Sequence, residues 1–394
     1  SGPGDLPALF RLPDHDLQVM VAVREVESLV SRLTLAAVGD VMLGDHPVCF
    51  GHGVRSAIRK NGPHLFDQVA QYIGEQDVFL ANLECVLSEI NHDEGRLKSS
   101  EFRGDQRSAE LLSLCGSNVV SVANNHMLQH GPEAFLDTVS VLRQHGVQPV
   151  GIYLDGISNV VRIDRGDGGI AIVACSFRPE HFCRNNVHYA HCEPDVLLGQ
   201  LRHLRQSLPE HAIVVSLHWG EEYLTVPSRS QVELAHQIID AGATLLVGHH
   251  PHVLQGVEPY HDGLIAYSLG NFVFDSWQRL TRESMVLACT FVGARLVYHS
   301  ITPLLVDRKF SPQLPDGPDA ESIREKINSY SGAIVAGSGL LALEEPDYAA
   351  VAEQAYRRYR MECYGYFLRN LWRYEPRIVF YSLARALLRK LGMA

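Results

Sequence analysis

Residues 244–252, TLLVGHHPH, decide how the chain is read. The run TLLV has the continuous apolar character of a strand buried on both faces, and it stops at Gly248 in a knot of histidines. His250 and His252 lie two apart, with Pro251 stiffening the spacing, so on an extended loop they point the same way. The pattern repeats in both directions. Residues 213–217 (IVVSL) run into His218-Trp219-Gly220, and residues 265–269 (IAYSL) into Gly270-Asn271-Phe272. Upstream, LTLAAV (33–38) ends at Gly39-Asp40 and VFLA (78–81) at Asn82-Leu83-Glu84. VVSV (119–122) ends at Ala123-Asn124-Asn125-His126.

Between these runs lie PHLFDQVAQYIGE, SAELLSLCG, GPEAFLDTVSVLRQHG and SQVELAHQIIDAG. Their apolar residues recur at three- and four-residue steps and they stop at Gly, as surface helices do. Strand–helix alternation predicts an α/β fold, a sheet covered by helices on both faces. In such sheets ligands bind at the carboxyl ends of the strands. Six strand ends carrying Asp, Glu, Asn or His therefore predict one site. From about residue 282 the pattern changes. MVLACTFVG and RLVYHSITPLLV read as an antiparallel pair turning at Gly293-Ala294-Arg295. Helical segments AESIREKINSYSG, PDYAAVAEQAYRRYRMECYGYFLRNLW and PRIVFYSLARALLRKLG follow. The expected division is an N-terminal arm over 1–32 with a short helix near LQVMVAVREVESLV, a catalytic domain over 33–310, and a helical extension over 311–394. The extension covers the site or mediates contacts in a homodimer. Its last helix is basic and amphipathic, and packing is favoured over a place on a membrane surface.

Composition narrows the partners. The 394 residues carry 45 acidic against 34 basic side chains, a formal net charge of −11, which argues against nucleic acid. A small or peptide-like anionic substrate held by metal is the expected partner. No run of about 18 apolar residues occurs, so no transmembrane segment is expected. The start SGPGDLPALFRLPD lacks the pattern of a signal peptide, so a cytoplasmic location is expected, with a trimmed leader still compatible. None of the eight cysteines forms a CxxC pair. Cys175 and Cys289, inside apolar runs, read as buried free thiols, while Cys183 and Cys192 close a short loop, join a His-rich metal patch or do neither. The balance favours a reducing compartment.

Asp40 and Glu84 offer carboxylates, Asn125 an amide oxygen, and His218, His250 and His252 imidazoles. Mixed oxygen and nitrogen ligation without cysteine suits manganese, iron or zinc. A bridging carboxylate with ligands on both sides can hold two ions about 3.5–4 Å apart, the arrangement of two-metal phosphoester hydrolysis. His126 follows Asn125 and can face the substrate as general acid or electrostatic clamp. Taken singly, each has a plainer reading: Asp40 as a helix cap, His218 as a packed histidine beside Trp219, Asn271 as a turn former. The coincidence of six argues against those readings. His249 is expected to orient a neighbour. Asn124, Asn271, His249, Arg103 and His46 are the candidate substrate contacts, with Arg178 and Glu221-Glu222 behind them.

GHHPH resembles the Gly-His-x-His element of calcineurin-like metallophosphoesterases, ANNH their Gly-Asn-His element, and GD their opening Asp. The longer forms GDVMLG, ANLE, ANNHMLQHG, LHWG, VGHHPHVLQG and SLGNFVFD resemble the capsule-synthesis CapA-type (poly-γ-glutamate) branch, over roughly residues 33–275. The resemblance implies a layered α-β-β-α fold with mixed sheets. It implies Asp40, Glu84 and His252 around one ion, Glu84, Asn125, His218 and His250 around a second, and His126 as acid. Three departures stand out. Met42 occupies the place of a ligand His, which implies one weakly held ion with Asp45 or His46 as substitute; Glu84 replaces a bridging Asp, as is usual in that branch; Gln129 stands where the branch commonly has Asp. The implied activity is metal-dependent hydrolysis of a phosphoester. Two rivals are metal-dependent acyl or amide chemistry on a γ-glutamyl substrate, and a non-catalytic accessory role in polymer synthesis.

Overall fold

The computed structural model describes residues 32–390 except 63, 74, 75, 94, 115, 117, 155 and 183–187. The arm over 1–31 and its expected helix lie outside the described residues. The first strands are β1 (Arg32–Val41), β2 (Val78–Leu83), β3 (Val119–Ser121) and β4 (Gln148–Val150). Next come β5 (Val160–Arg165), β6 (Gly168–Ser176), β7 (His211–His218), β8 (Leu245–His249), β9 (Val257–Tyr260) and β10 (Gly263–Ala266). The last are β11 (Asn271–Val273), β12 (Glu283–Val292), β13 (Arg295–Val306) and β14 (Pro312–Gln313). They build two mixed sheets. One runs β14-β13-β12-β1-β2-β3-β4, with β11 pairing beyond β1; the other runs β9-β10-β8-β7-β6-β5.

Parallel pairing fills the middle of each sheet, where β2, β6, β7 and β8 are buried along their whole length. That is why these strands read as unbroken apolar runs. Antiparallel partners close both flanks of the second sheet and one flank of the first, whose other edge, β4, pairs parallel with β3. The β12–β13 hairpin turns where predicted, with Val292 opposite Arg295. The two sheets pack against each other, β1 lying over β8.

The longer helices ahead of β9 are α1 (Val54–Asn61), α2 (Asp67–Ile73), α3 (Ser108–Leu114), α4 (Pro132–Gln144), α5 (Pro194–Ser207) and α6 (Arg229–Asp240). Helix α4 covers the first sheet at β4; α5 and α6 cover the second. A capping box of Ser228 and Gln231 starts α6. The layering is α-β-β-α, as the resemblance implies. It corrects the single helix-covered sheet that apolar runs alone suggest. The second sheet needs β5, β6 and helix α5, whose ends carry no ligand residue.

After β14 come α7 (Gly317–Val335), α8 (Glu345–Arg369) and α9 (Pro376–Lys390). Helix α7 lies against β9 and β13. Helix α8 anchors through Tyr348 and Ala352 onto Leu224, and α9 through Ile378 onto Phe50, Phe367 and Tyr374. The packing expected of the last helix is thus partial, because Phe380 and Leu383 stay exposed. Cys175 also departs from expectation: it is bonded to Cys192. The loop after β6 returns alongside the strand end, with Ser176 N–H donating to Ala190 O, and this brings the two sulfurs together. The pairing removes the support for a reducing compartment. Cys289 is a buried free thiol as read, Cys49 and Cys85 are buried free thiols as well, and Cys115 and Cys183 lie outside the described residues.

Candidate metal centre

The carboxyl ends of β1, β2, β7 and β8 converge where the two sheets meet. Asp40 sits near the end of β1, at a break in register with both β2 and β11. Gly39 makes that break possible. A side-chain carbon there would collide with the carbonyl of Gly270, to which Asp40 donates its own N–H at 3.0 Å. His218 and His249 are the last residues of β7 and β8, and their Cα atoms pair across the sheet. His250 and His252 follow with φ of 96° and 58°. Left-handed backbone at two non-glycine residues costs on the order of 1–3 kcal/mol each and persists where surrounding structure enforces it.

Asp40, Glu84, His218, His249, His250 and His252 are all buried. His252 Nδ1 lies 3.2 Å from Asp40 Oδ2, and its Nε2 lies 3.5 Å from Glu84 Oε1. His218 Nε2 is 2.8 Å from Asn125 Oδ1 and 3.9 Å from Glu84 Oε1. The His218 and His250 rings are 4.7 Å apart between centroids. Two groups have ligand atoms within 4.8 Å of one another: Glu84 with His250 and His252, and Asp40 with Glu84 and His218. Both contain Glu84. His252 and His218 are exchanged relative to the assignment that the resemblance implies, although His252 also reaches Asp40.

Unsatisfied atoms test whether a cation fits. Glu84 Oε1 and both ring nitrogens of His250 are buried without a hydrogen-bond partner. Leaving such groups unpaired costs about 1–3 kcal/mol each, more for a charge, and a divalent cation would satisfy the Glu84 oxygen together with one nitrogen of His250. Electrostatics agrees. Burial pushes Glu84 well above the usual carboxylate range, with Asp40 and Glu222 adding to the shift against His252. Burial also acts on Asp40, but His249 and His252 outweigh it and hold its carboxyl low. Burial keeps His218 and His250 neutral. On His252 burial is outweighed by Glu84 and Asp40, which raise it to about 10. Its proton offsets the two carboxylates, a role a divalent ion would take over on displacing it.

The remaining candidates fall into two sets. His126 faces the centre, its Nε2 3.9 Å from Glu84 Oε1, its Nδ1 3.0 Å from Gln129 Oε1, and its ring stacked on Phe102 at 3.9 Å. Asn271 orients a ligand: its Oδ1 is 3.0 Å from His252 Nδ1, which leaves Nε2 for the centre. His249 Nδ1 lies 3.3 Å from Asp40 Oδ1. Asn124 is spent on structure, donating to Asn82 Oδ1 and Leu83 O. Arg103 is likewise buried and donates to the carbonyls of Ser88, Ile90 and Ser99, so it points away from substrate. His46 caps a short turn through Nδ1 and lines the cavity, while Asp45 is held by Ser56 and Gly51; neither joins a ligand group. Met42 accepts a hydrogen bond from Gly44 N–H.

The centre opens into a cavity of about 1060 Å³. Arg178, Glu222 and Tyr223 line it from the body, and Tyr359, Arg360 and Arg385 from α8 and α9. Asn82, missed in the sequence, donates to Asp40 Oδ1 at 2.9 Å. Its place two residues before Glu84 in ANLE was the available signal.

Fold and site together define an α-β-β-α protein with a buried cluster of candidate metal ligands that shares Glu84. The family model described as bacterial capsule synthesis protein PGA_cap matches residues 34–276. The chain belongs to that family. It is similar to the capsule biosynthesis protein CapA of Bacillus anthracis, 30% identical over 268 residues, covering 65% of this chain and 63% of that one. The match thus spans less than two thirds of that relative's length. It is also similar to the PGA biosynthesis protein CapA of Bacillus subtilis, 27% identical over 264 residues, covering 65% of this chain and 67% of that one. Among solved structures, the NAD nucleotidase of Haemophilus influenzae aligns with a TM-score of 0.39 at 13% identity, covering 85% of this chain and 60% of that one. Among the described residues no helix is long and apolar enough to cross a membrane.

Proposed function

We propose that this chain is a metal-dependent hydrolase whose dinuclear centre, bridged by Glu84, cleaves a phosphoester or phosphoanhydride of an anionic substrate. The observation that carries this reading is the Glu84 carboxylate, buried, unsatisfied and common to both ligand groups. Bound divalent ions would acidify a water and polarise the phosphoryl group. Asp40, His218, His250 and His252 would hold them; Asn125 fixes His218 and could add an amide oxygen, and Asn271 keeps His252 turned inward. His126 then stands over the centre to meet the leaving group. Arg178 and Arg360 on the cavity wall suit the remaining negative charge of the substrate.

Met42 supplies no imidazole, so the two ions bind with unequal affinity. Calorimetric titration of metal-stripped protein should give one tight and one weak site, and Met42→His should tighten the weak one. Glu84→Ala should lose both ions and all turnover. Activity on a phosphoester panel that is unchanged after stripping overturns the reading. The names of the Bacillus relatives favour one alternative, amide chemistry on a γ-glutamyl polymer. Assaying γ-glutamyl amides beside the phosphoesters separates the two.

A further inference from the structure

Helices α8 and α9, with the turn between them, leave large apolar side chains exposed. Met361, Leu368, Leu371 and Trp372 follow one another at helical steps along one side of α8 and the turn after it. Trp372 is 83% exposed and Phe380, on α9, 77%. Contiguous exposure of large apolar side chains marks an interaction site on a soluble surface. Charge says what kind. Residues 357–394 carry nine Lys and Arg against two Glu, in a chain of net charge −11. Among the described residues no carboxylate comes within 4.0 Å of Arg358, Arg360, Arg369 or Arg373. Arg373 lies over the Trp372 ring at 5.9 Å, keeping cation and aromatic side by side.

We infer that this face docks on the surface of an anionic lipid bilayer, with Trp372 and Phe380 at headgroup depth and the arginines on lipid phosphates. Aromatic rings beside guanidinium groups that have no carboxylate partner among the described residues suit an interface that is apolar on one side and anionic on the other. The acidic remainder of the chain is repelled by such a surface, which leaves this face to meet it. Leu368 and Leu383 belong both to the exposed patch and to the cavity wall, so the cavity mouth lies in the docking face.

The test uses the full chain with vesicles of phosphatidylglycerol and phosphatidylcholine, sedimented beside vesicles of phosphatidylcholine alone. Binding is expected to the anionic vesicles only, released by high salt, with a blue shift of tryptophan emission that Trp372→Phe removes. The pair Trp372→Ser and Phe380→Ser should lower the bound fraction at least tenfold with circular dichroism unchanged, and Arg369→Glu with Arg373→Glu should do the same. Three results overturn the inference: wild-type protein that stays in the supernatant, double variants that bind as well as wild type, or light scattering showing that the face pairs two copies of the chain. No readout depends on turnover, so a failure here is distinct from a failure of the proposed hydrolysis.

Discussion

His126 is held from three sides. Gln129 takes its Nδ1, Phe102 backs the ring, and Nε2 is left facing Glu84. Burial lowers its pKa to about 4, so the metal-free ring is neutral near pH 7 and can give up a proton only once the negative charge of a bound substrate raises it. The ring touches the centre without belonging to either ligand group. His126→Ala should therefore keep its full metal content and lose turnover on the order of 10²–10⁴-fold. The loss should be largest for substrates with poor leaving groups; equal rates on such a substrate exclude His126 from the chemistry. His52 bears on stability instead. It sits among Tyr366, Tyr374 and Arg373 of the C-terminal helical region, and burial, helped by Arg373, lowers it to about 4. The unfolded chain takes up that proton near pH 6.5, the folded chain only near 4. Stability is thus lost as pH falls from about 6.5 towards 4. His52→Phe should flatten that acid limb in thermal melts recorded across the range, while a limb of unchanged slope puts its cause elsewhere.

The elements that hold the site depend on close backbone approach. β1 can deliver Asp40 only because Gly39 lets residues 269–270 pass against it. Gly39→Ala should push these segments apart. We expect a loss of several degrees in Tm and of metal affinity together, read by calorimetry; a variant with native metal binding refutes the coupling. This is the scale at which sequence and structure can be compared. Asp40, Glu84, Asn125, His218, His250 and His252 were legible because each terminates a buried apolar run, and periodicity locates run ends well. The β5–β6 hairpin and α5 were not, since their ends carry no such residue. Nor could Arg103 be placed. It read as a candidate substrate contact, and only the fold shows three carbonyls closing around the guanidinium. Cys175 and Cys192 were unpaired in the reading because a loop's path back along a strand leaves no mark on sequence.

Across the whole molecule, residues far apart in the chain complete one cavity. Its floor comes from strand ends between 40 and 252, its far wall from α8 and α9. The two are joined at Glu101, whose Oε1 accepts from Tyr381 at 2.9 Å and also receives Arg385, while Oε2 lies 3.5 Å from Gln129 Nε2. Gln129 in turn holds His126. One carboxylate thus touches both the last described helix and the support of the group proposed to meet the leaving group. Among the described residues α9 is tied to the body by Ile378 in a small cluster and by Tyr381 and Arg385 on Glu101. Segments with few buried contacts open first, well below the global transition. Warming should therefore disarm the protein before it unfolds. Protease cutting near residues 370–376 and the fall in turnover should share one midpoint, several degrees under the loss of the far-ultraviolet β signal. A single shared midpoint for all three would show that the helix melts with the body. Such an early, reversible loss would make warmth a brake on the activity, released on cooling without any need to refold the sheets.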